Sequence, residues 1–138
     1  MLLPLAAVLI NMRSAAATEC LIATAAVTTC MVEERGGGLV CIGDASDGKT
    51  SPPTTRGWTS LAGGGYVMCG IDAANASIAC WGAFAQVSGA PTGQELGPPP
   101  GRRWAEVAVG NVHSCGIEEG SGELWCWGYN DDGRSTAP

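Results

Sequence analysis

Apolar and small residues alternate along six short runs of the chain. Cys115 and Ile117 alternate with Ser114 and Gly116, and Leu124 and Cys126 alternate with Trp125 and Trp127. The same alternation places Cys69 with Ile71 and Ile78 with Cys80, and Cys30 with Val32 and Leu39 with Cys41. A period of two is the signature of a half-buried strand. In each pair of runs the two cysteines stand eleven residues apart. If they face each other across an antiparallel hairpin, the register is fixed. Ile117 then faces Leu124 and His113 faces Gly128. Ile71 faces Ile78, and Val32 faces Leu39. Each aliphatic pair thereby falls on the same sheet face as its cysteine pair, in all three copies. This register predicts two-residue tips at Gly120-Ser121, Ala74-Asn75 and Arg35-Gly36.

The hairpins belong to a longer internal repeat. Trp58 through Ile71 aligns with Trp104 through Ile117 at an offset of 46, matching the Trp, one Gly and the Cys-Gly-Ile triplet. Cys80-Trp81-Gly82 and Cys126-Trp127-Gly128 follow at the same offset. A third copy lies 39 residues earlier, with Cys41-Ile42-Gly43 at its end and Glu19 in place of the leading Trp. The length difference falls in Pro/Gly-rich connectors such as residues 94–101. Repeats of this length built of strands are in the range of propeller blades. The expected fold is therefore all-β, with about three propeller-type repeats over residues 19–57, 58–103 and 104–138.

Facing positions in an antiparallel ladder bring Cα atoms within reach of a disulfide. The register therefore favours the bridges Cys30–Cys41, Cys69–Cys80 and Cys115–Cys126 over two alternatives, buried thiols and zinc. Zinc prefers ligands two to four residues apart, a spacing this chain lacks. Each bridge would contribute about 3 kcal/mol in the chain-entropy view. Cys20 has no counterpart in the other copies, and is open to a free state or to a bond with a partner.

Composition sharpens this picture. Gly and Pro together make 29 of 138 residues (21 and 8), which disfavours a helical bundle. Only 25 residues are Leu, Ile, Val or Phe, a thin core that cross-links would help. The formal net charge of −6 leaves no basic footprint for nucleic acid. An apolar run at residues 2–10, too short to span a bilayer, precedes Ala15-Ala16-Ala17 and resembles a secretory signal over residues 1–17. It has no cation before the apolar run, so a hydrophobic N-terminal strand is the competing reading.

Gly110, His113, Trp127, Gly128, Asn130 and Gly133 follow a pattern Gly-x-x-His, strand, turn, Trp-Gly-x-Asn-x-x-Gly. The segment resembles the regulator of chromosome condensation repeat. Its paired-Cys, Cys-Trp-Gly form is similar to secreted versions, including ectodomains of crinkly-type plant receptor-like kinases and repeat proteins exported by bacteria. The second copy follows the pattern to Gly82 and then departs, with Phe84 and Val87 at the Asn and Gly positions. The first keeps the Cys spacing, Gly43 and Asp47-Gly48. The resemblance implies a blade per repeat and about seven blades in a closed ring. Three blades do not close a ring, so the expectation is a fragment of a longer receptor, a truncated gene product, one piece of an oligomer, or an open array with sticky blade edges. A kelch-like array, suggested by Gly63-Gly64-Gly65-Tyr66 and Trp81, is the second fold.

No residue pattern points to catalysis. His113 is the sole histidine, and Ser114 next to it points to the other face of the strand. Glu118, Glu119 and Glu123 read as solvated residues around a hairpin tip. Asn130-Asp131-Asp132-Gly133 lacks the spacing and distal Glu of a calcium loop and reads as a tight turn. The glycine triplets at 36–38 and 63–65 lack the Lys and helix of a phosphate loop. Kinase signatures are absent from the sequence, so a kinase activity would belong to a longer relative. Trp127 is expected in the packing between blades and Trp125 is a candidate ligand contact. Asn75-Ala76-Ser77 is a glycosylation sequon at a predicted tip. The functional expectation is a secreted or cell-surface, non-catalytic module binding a protein, peptide or glycan outside the cell, without cofactor, metal or membrane span. It would form part of a ligand-sensing ectodomain of a receptor-like kinase. The alternative is a secreted inhibitor or adhesion repeat protein.

Overall fold

The computed structural model describes residues 21–33, 37–55, 57–83, 97–130, 132–133 and 135–137. Residues 1–17 and Cys20, and the predicted tip Arg35-Gly36, lie outside them. Among the described residues nine strands form: β1 Ile22–Ala25, β2 Thr28–Val32, β3 Leu39–Gly43, β4 Trp58–Gly63, β5 Val67–Asp72, β6 Ile78–Gly82, β7 Trp104–Val109, β8 His113–Glu118 and β9 Leu124–Gly128. They make three antiparallel sheets in the orders β1-β2-β3, β4-β5-β6 and β7-β8-β9. Among the described residues there is no helix. The architecture is all-β, with three sheets stacked as propeller blades.

In each sheet the last two strands are the hairpin read from the sequence. Cys30 pairs with Cys41, Cys69 with Cys80 and Cys115 with Cys126. All three pairs are disulfides, with Cα separations of 4.1, 4.1 and 4.0 Å. The aliphatic pairs Val32–Leu39, Ile71–Ile78 and Ile117–Leu124 occupy the expected rungs.

The tips depart from expectation. They are four residues long, not two. The Glu118 N–H donates to the Glu123 carbonyl, and the Gly122 N–H donates back to the Glu118 carbonyl. Asp72, Ala76 and Ser77 repeat these bonds, as do Glu33, Gly37 and Gly38. The fourth tip residue is left-handed in each case, with φ of 63° at Gly37, 57° at Ala76 and 72° at Gly122. A two-residue tip would put the left-handed residues at its centre, whereas here the recurrent left-handed residue lies after it, and the third tip has a second one at Gly120, with φ of 89°. Gly120-Ser121 and Ala74-Asn75 are thus interior to wider turns.

A further departure is the leading strand, which makes each unit three-stranded. Its entry carries a bulge in the second and third sheets, between Trp58 and Ser60 and between Trp104 and Glu106. Strict alternation would put Trp58 on the face opposite Leu61. The extra residue reverses that parity. Trp58 therefore lies over Gly70, where a Cβ would overlap its ring, and Trp104 lies over Gly116 in the same way.

The sheets stack with one polarity. The disulfide face of the first sheet, with Cys30, Cys41, Val32 and Leu39, packs on Trp58, Met68, Trp81 and Leu61 of the second. The disulfide face of the second, with Ile71 and Ile78, packs on Trp104, Trp127 and Trp125 of the third. Trp58 and Trp81 meet at 5.5 Å between centroids, and Trp104 and Trp127 at 5.9 Å, both tilted. Such tilted pairs add to the area they bury.

Gly63 and Gly64 serve close backbone approach between sheets. A Cβ on Gly63 would overlap the Thr24 carbonyl, and one on Gly64 the Gly110 carbonyl. Consecutive sheets converge at these inner corners, where the Ala26 N–H donates to the Gly64 carbonyl.

Candidate functional site

The third sheet and the second sheet's tip share a linked group of charged, polar and aromatic side chains. Arg102 and Arg103 precede β7 and reach across to the tip that follows β8. The Arg102 Nη1 donates to Glu118 Oε1 at 2.8 Å, and Arg103 Nε donates to Glu119 Oε2 at 2.6 Å. Arg103 Nη1 also donates to the Asn75 carbonyl at 3.1 Å, so this side chain joins the two tips. Ser121 Oγ donates to Glu118 at 2.8 Å. That bond, with Arg102 behind it, lowers the Glu118 carboxyl below the ordinary glutamate range, against a smaller opposing effect of desolvation.

Trp125 sits beside this network. It pairs with Gly116 across the ladder and packs at the edge of the Trp104–Trp127 cluster. The Arg102 guanidinium lies 3.7 Å from its ring centre, a stacked cation–π contact. The indole Nε1 is buried without a hydrogen-bond partner. One ring face is therefore already covered by a cation, and a ligand at this rim would meet Arg102 as well as Trp125. Trp127, by contrast, is buried between the sheets.

Asn75 is exposed at the second tip. Its Oδ1 accepts the Ser77 N–H at 2.9 Å, closing an Asx turn across the sequon.

The remaining polar residues of the sequence analysis are held apart. His113 is on the disulfide face of the third sheet, with its Nδ1 buried and without a partner. Ser114 pairs with Trp127 on the other face and is buried. The two side chains do not meet. Glu118 and Glu119 each engage a different arginine, and Glu123 is exposed. Asn130 caps a turn: its carbonyl accepts the Gly133 N–H, and its Oδ1 accepts the Ser135 N–H at 2.8 Å. Among the described residues no group of three or more His, Cys, Asp or Glu is placed to hold a metal ion. Nor, among them, is any helix long and apolar enough to cross a membrane.

Two important side chains were not singled out from the sequence. Arg102 had no visible partner, because Glu118 is sixteen residues away and across a strand. Lys49 reads as an ordinary loop cation in Asp47-Gly48-Lys49, yet its side chain is 1% exposed. The recurrence of Asp132-Gly133-Arg134 at the same place in the third copy was the available signal.

The family described as regulator of chromosome condensation (RCC1) repeat matches residues 104–134. Comparison with curated protein sequences gives no significant match. Among solved structures, the chain is similar to the ectodomain of the receptor kinase CR4 from Physcomitrella patens, with TM-score 0.67 and 24% identity over 85% of this chain and 31% of that one. It is similar to the crinkly ectodomain of the Arabidopsis thaliana receptor kinase ACR4, with TM-score 0.60 and 22% identity over 85% and 37%. It also resembles yeast RCC1 (Prp20) in its complex with Kap60, with TM-score 0.58 and 18% identity over 80% and 29%. The likeness is one of fold, that of propeller blades. The chain spans about a third of the length of these structures.

Proposed function

We propose that this chain is a non-catalytic, extracellular binding module, part of a ligand-sensing propeller ectodomain of a receptor-like kinase. The observation that carries this reading is one disulfide in every sheet of a fold shared with two receptor-kinase ectodomains. Such bridges form and persist in oxidising compartments. The yeast relative is a propeller seen bound to another protein, which supports protein recognition as the use of the fold. Loops at the ends of a rigid sheet stack are where binding residues collect.

The contact surface we assign is the rim of the second and third tips, around Arg102, Trp125 and Asn75. Labelled chain at nanomolar concentration should bind intact cells saturably and be displaced by unlabelled chain. Trp125→Ala should weaken that binding about tenfold or more if the ring is an anchor, with near-UV circular dichroism showing the fold retained. Absence of saturable binding refutes the reading. Binding confined to copies of the chain itself would favour the adhesion alternative. Hydrolase activity that disappears in His113→Ala would refute the non-enzymatic assignment.

Asn75 is the glycan acceptor of this surface. Expressed in a eukaryotic secretory pathway, the chain should lose mass on treatment with peptide N-glycosidase, and Asn75→Gln should abolish the shift. An unchanged mass in the parent chain excludes the modification.

A further inference from the structure

We infer that a crevice between the first hairpin tip and the entry of the second sheet receives an arginine side chain of a partner protein. This names a partner chemistry for the binding module proposed above and rests on that reading. The place is apart from the rim around Arg102 and Trp125.

The junction between the second and third sheets shows how this place is closed elsewhere. One main-chain bond fixes the equivalence: the Ala73 N–H donates to the Gly57 carbonyl as the Glu119 N–H donates to the Arg103 carbonyl. At the second junction the Trp104 N–H donates to the Ala76 carbonyl at 2.8 Å, and Arg103 Nη1 donates to the Asn75 carbonyl at 3.1 Å. The tip is thereby tied to the strand that follows it. At the first junction Gly57 stands in the place of Arg103 and supplies no guanidinium. Among the described residues no main-chain bond joins the first tip to Gly57 or Trp58. A crevice of about 230 Å³ lies there instead. It is lined by Gly38 and Leu39 from the tip side, by Pro52, Pro53 and Thr55 from the connector, and by Trp58. Its volume is below the range of sites for drug-sized ligands, about 300–1,000 Å³, and suits a single long side chain.

The lining is largely apolar, and the Thr55 hydroxyl already donates to the Gly57 carbonyl at 3.1 Å. A carboxylate stands at the edge. Glu33 Oε2 lies 3.7 Å from where a Cβ on Gly38 would be. Glu33 is exposed and, among the described residues, makes no ion pair. Its equivalent at the third tip, Glu118, is held by Arg102, and Glu119 beside it by Arg103. Those arginines directly precede Trp104, whereas Ala17 and Thr18 hold the corresponding places in the first copy. The first tip thus keeps the acid of the pair without the base. An arginine matches an apolar slot with a carboxylate at its mouth. Its methylenes cover the prolines and its planar guanidinium meets the carboxylate with two parallel donors. A lysine offers only a point charge.

N-acetyl-argininamide titrated into the full chain should give saturable NMR shifts at the Gly38 and Thr55 amides and the Trp58 indole, with Kd on the order of 1–10 mM for so small a probe. N-acetyl-citrullinamide, which keeps the shape without the charge, should leave these signals unmoved, and N-acetyl-lysinamide should bind several-fold more weakly. Glu33→Gln, at an exposed position, should weaken arginine binding about tenfold with the rest of the spectrum unchanged. The comparison of probes on the parent chain needs no variant to fold. Absence of a saturable shift in the parent chain, as would follow if its own Arg35 or Arg56 filled the crevice, overturns the inference. So does an equal response to the citrulline or lysine probe, a shift confined to the third tip, or binding that survives Glu33→Gln. The probe reads the crevice and the cell assay reads the rim, so failure of one is seen separately from failure of the other.

Discussion

The indole N–H of Trp81 donates to the main-chain carbonyl of Lys49 at 2.8 Å, across 32 residues of sequence. The bond ties the connector after the first sheet into the core of the second. The Lys49 ammonium is buried with it, paired to Asp47 and donating to the Gly65 carbonyl at 3.3 Å. This one connector residue thus holds the second sheet through both its backbone and its side chain.

Trp81→Phe keeps an aromatic ring against Trp58 but removes the donor. The Lys49 carbonyl, at a buried position, then loses its indole partner. The expected cost is about 1–3 kcal/mol, read as a lower urea midpoint with an unchanged slope.

The ion pair should respond asymmetrically. Lys49→Met removes a buried cation and leaves Asp47, 18% exposed, in reach of water. Asp47→Asn leaves the ammonium buried with a neutral side chain and a carbonyl. The second substitution should therefore cost more, about 3 kcal/mol or above, and the first distinctly less. Equal losses in denaturant titrations would show that packing, not charge, decides the site.

Reduction should follow burial. Cys30 and Cys69 are fully buried beneath the next sheet, while both sulfurs of Cys115–Cys126 belong to half-buried residues on an outer face. In dilute protein under limiting dithiothreitol, Cys115–Cys126 should be alkylated first. Peptide mapping that finds the three bridges opening together would point instead to global unfolding as the route.

Glu118 should stabilise the third tip only when ionised. Its folded pKa is lowered, first by Ser121 and then by Arg102. A depressed carboxylate contributes stability above its ordinary pKa and loses it as pH falls through the folded value. The stability gap between the parent chain and Glu118→Gln should accordingly be full at neutral pH and close on acidification below the ordinary glutamate range. A gap that widens toward acid would have the sign wrong.

By itself the sequence determined the ladder. A period of two, three equal cysteine spacings and the aliphatic rungs beside them admit one antiparallel register, because slipping by a single residue turns every side chain to the other face. It also marked Gly43, Gly82 and Gly128, each with positive φ at the end of a sheet, where the following residue bonds back to the Val27, Tyr66 or Val112 carbonyl. The tips are wider than the register suggests because facing positions do not say where the ladder stops: the Glu118–Glu123 rung is the last, and residues 119–122 make the turn. What only the tertiary structure decided is what each face meets. The bulge that turns Trp58 and Trp104 onto a glycine leaves no trace in alternation. The burial of Lys49, the grip of Arg102 on Trp125 and the stacking of disulfide face on tryptophan face depend on residues far apart in the chain. They follow from how three separately legible sheets share their surfaces, which no local spacing encodes.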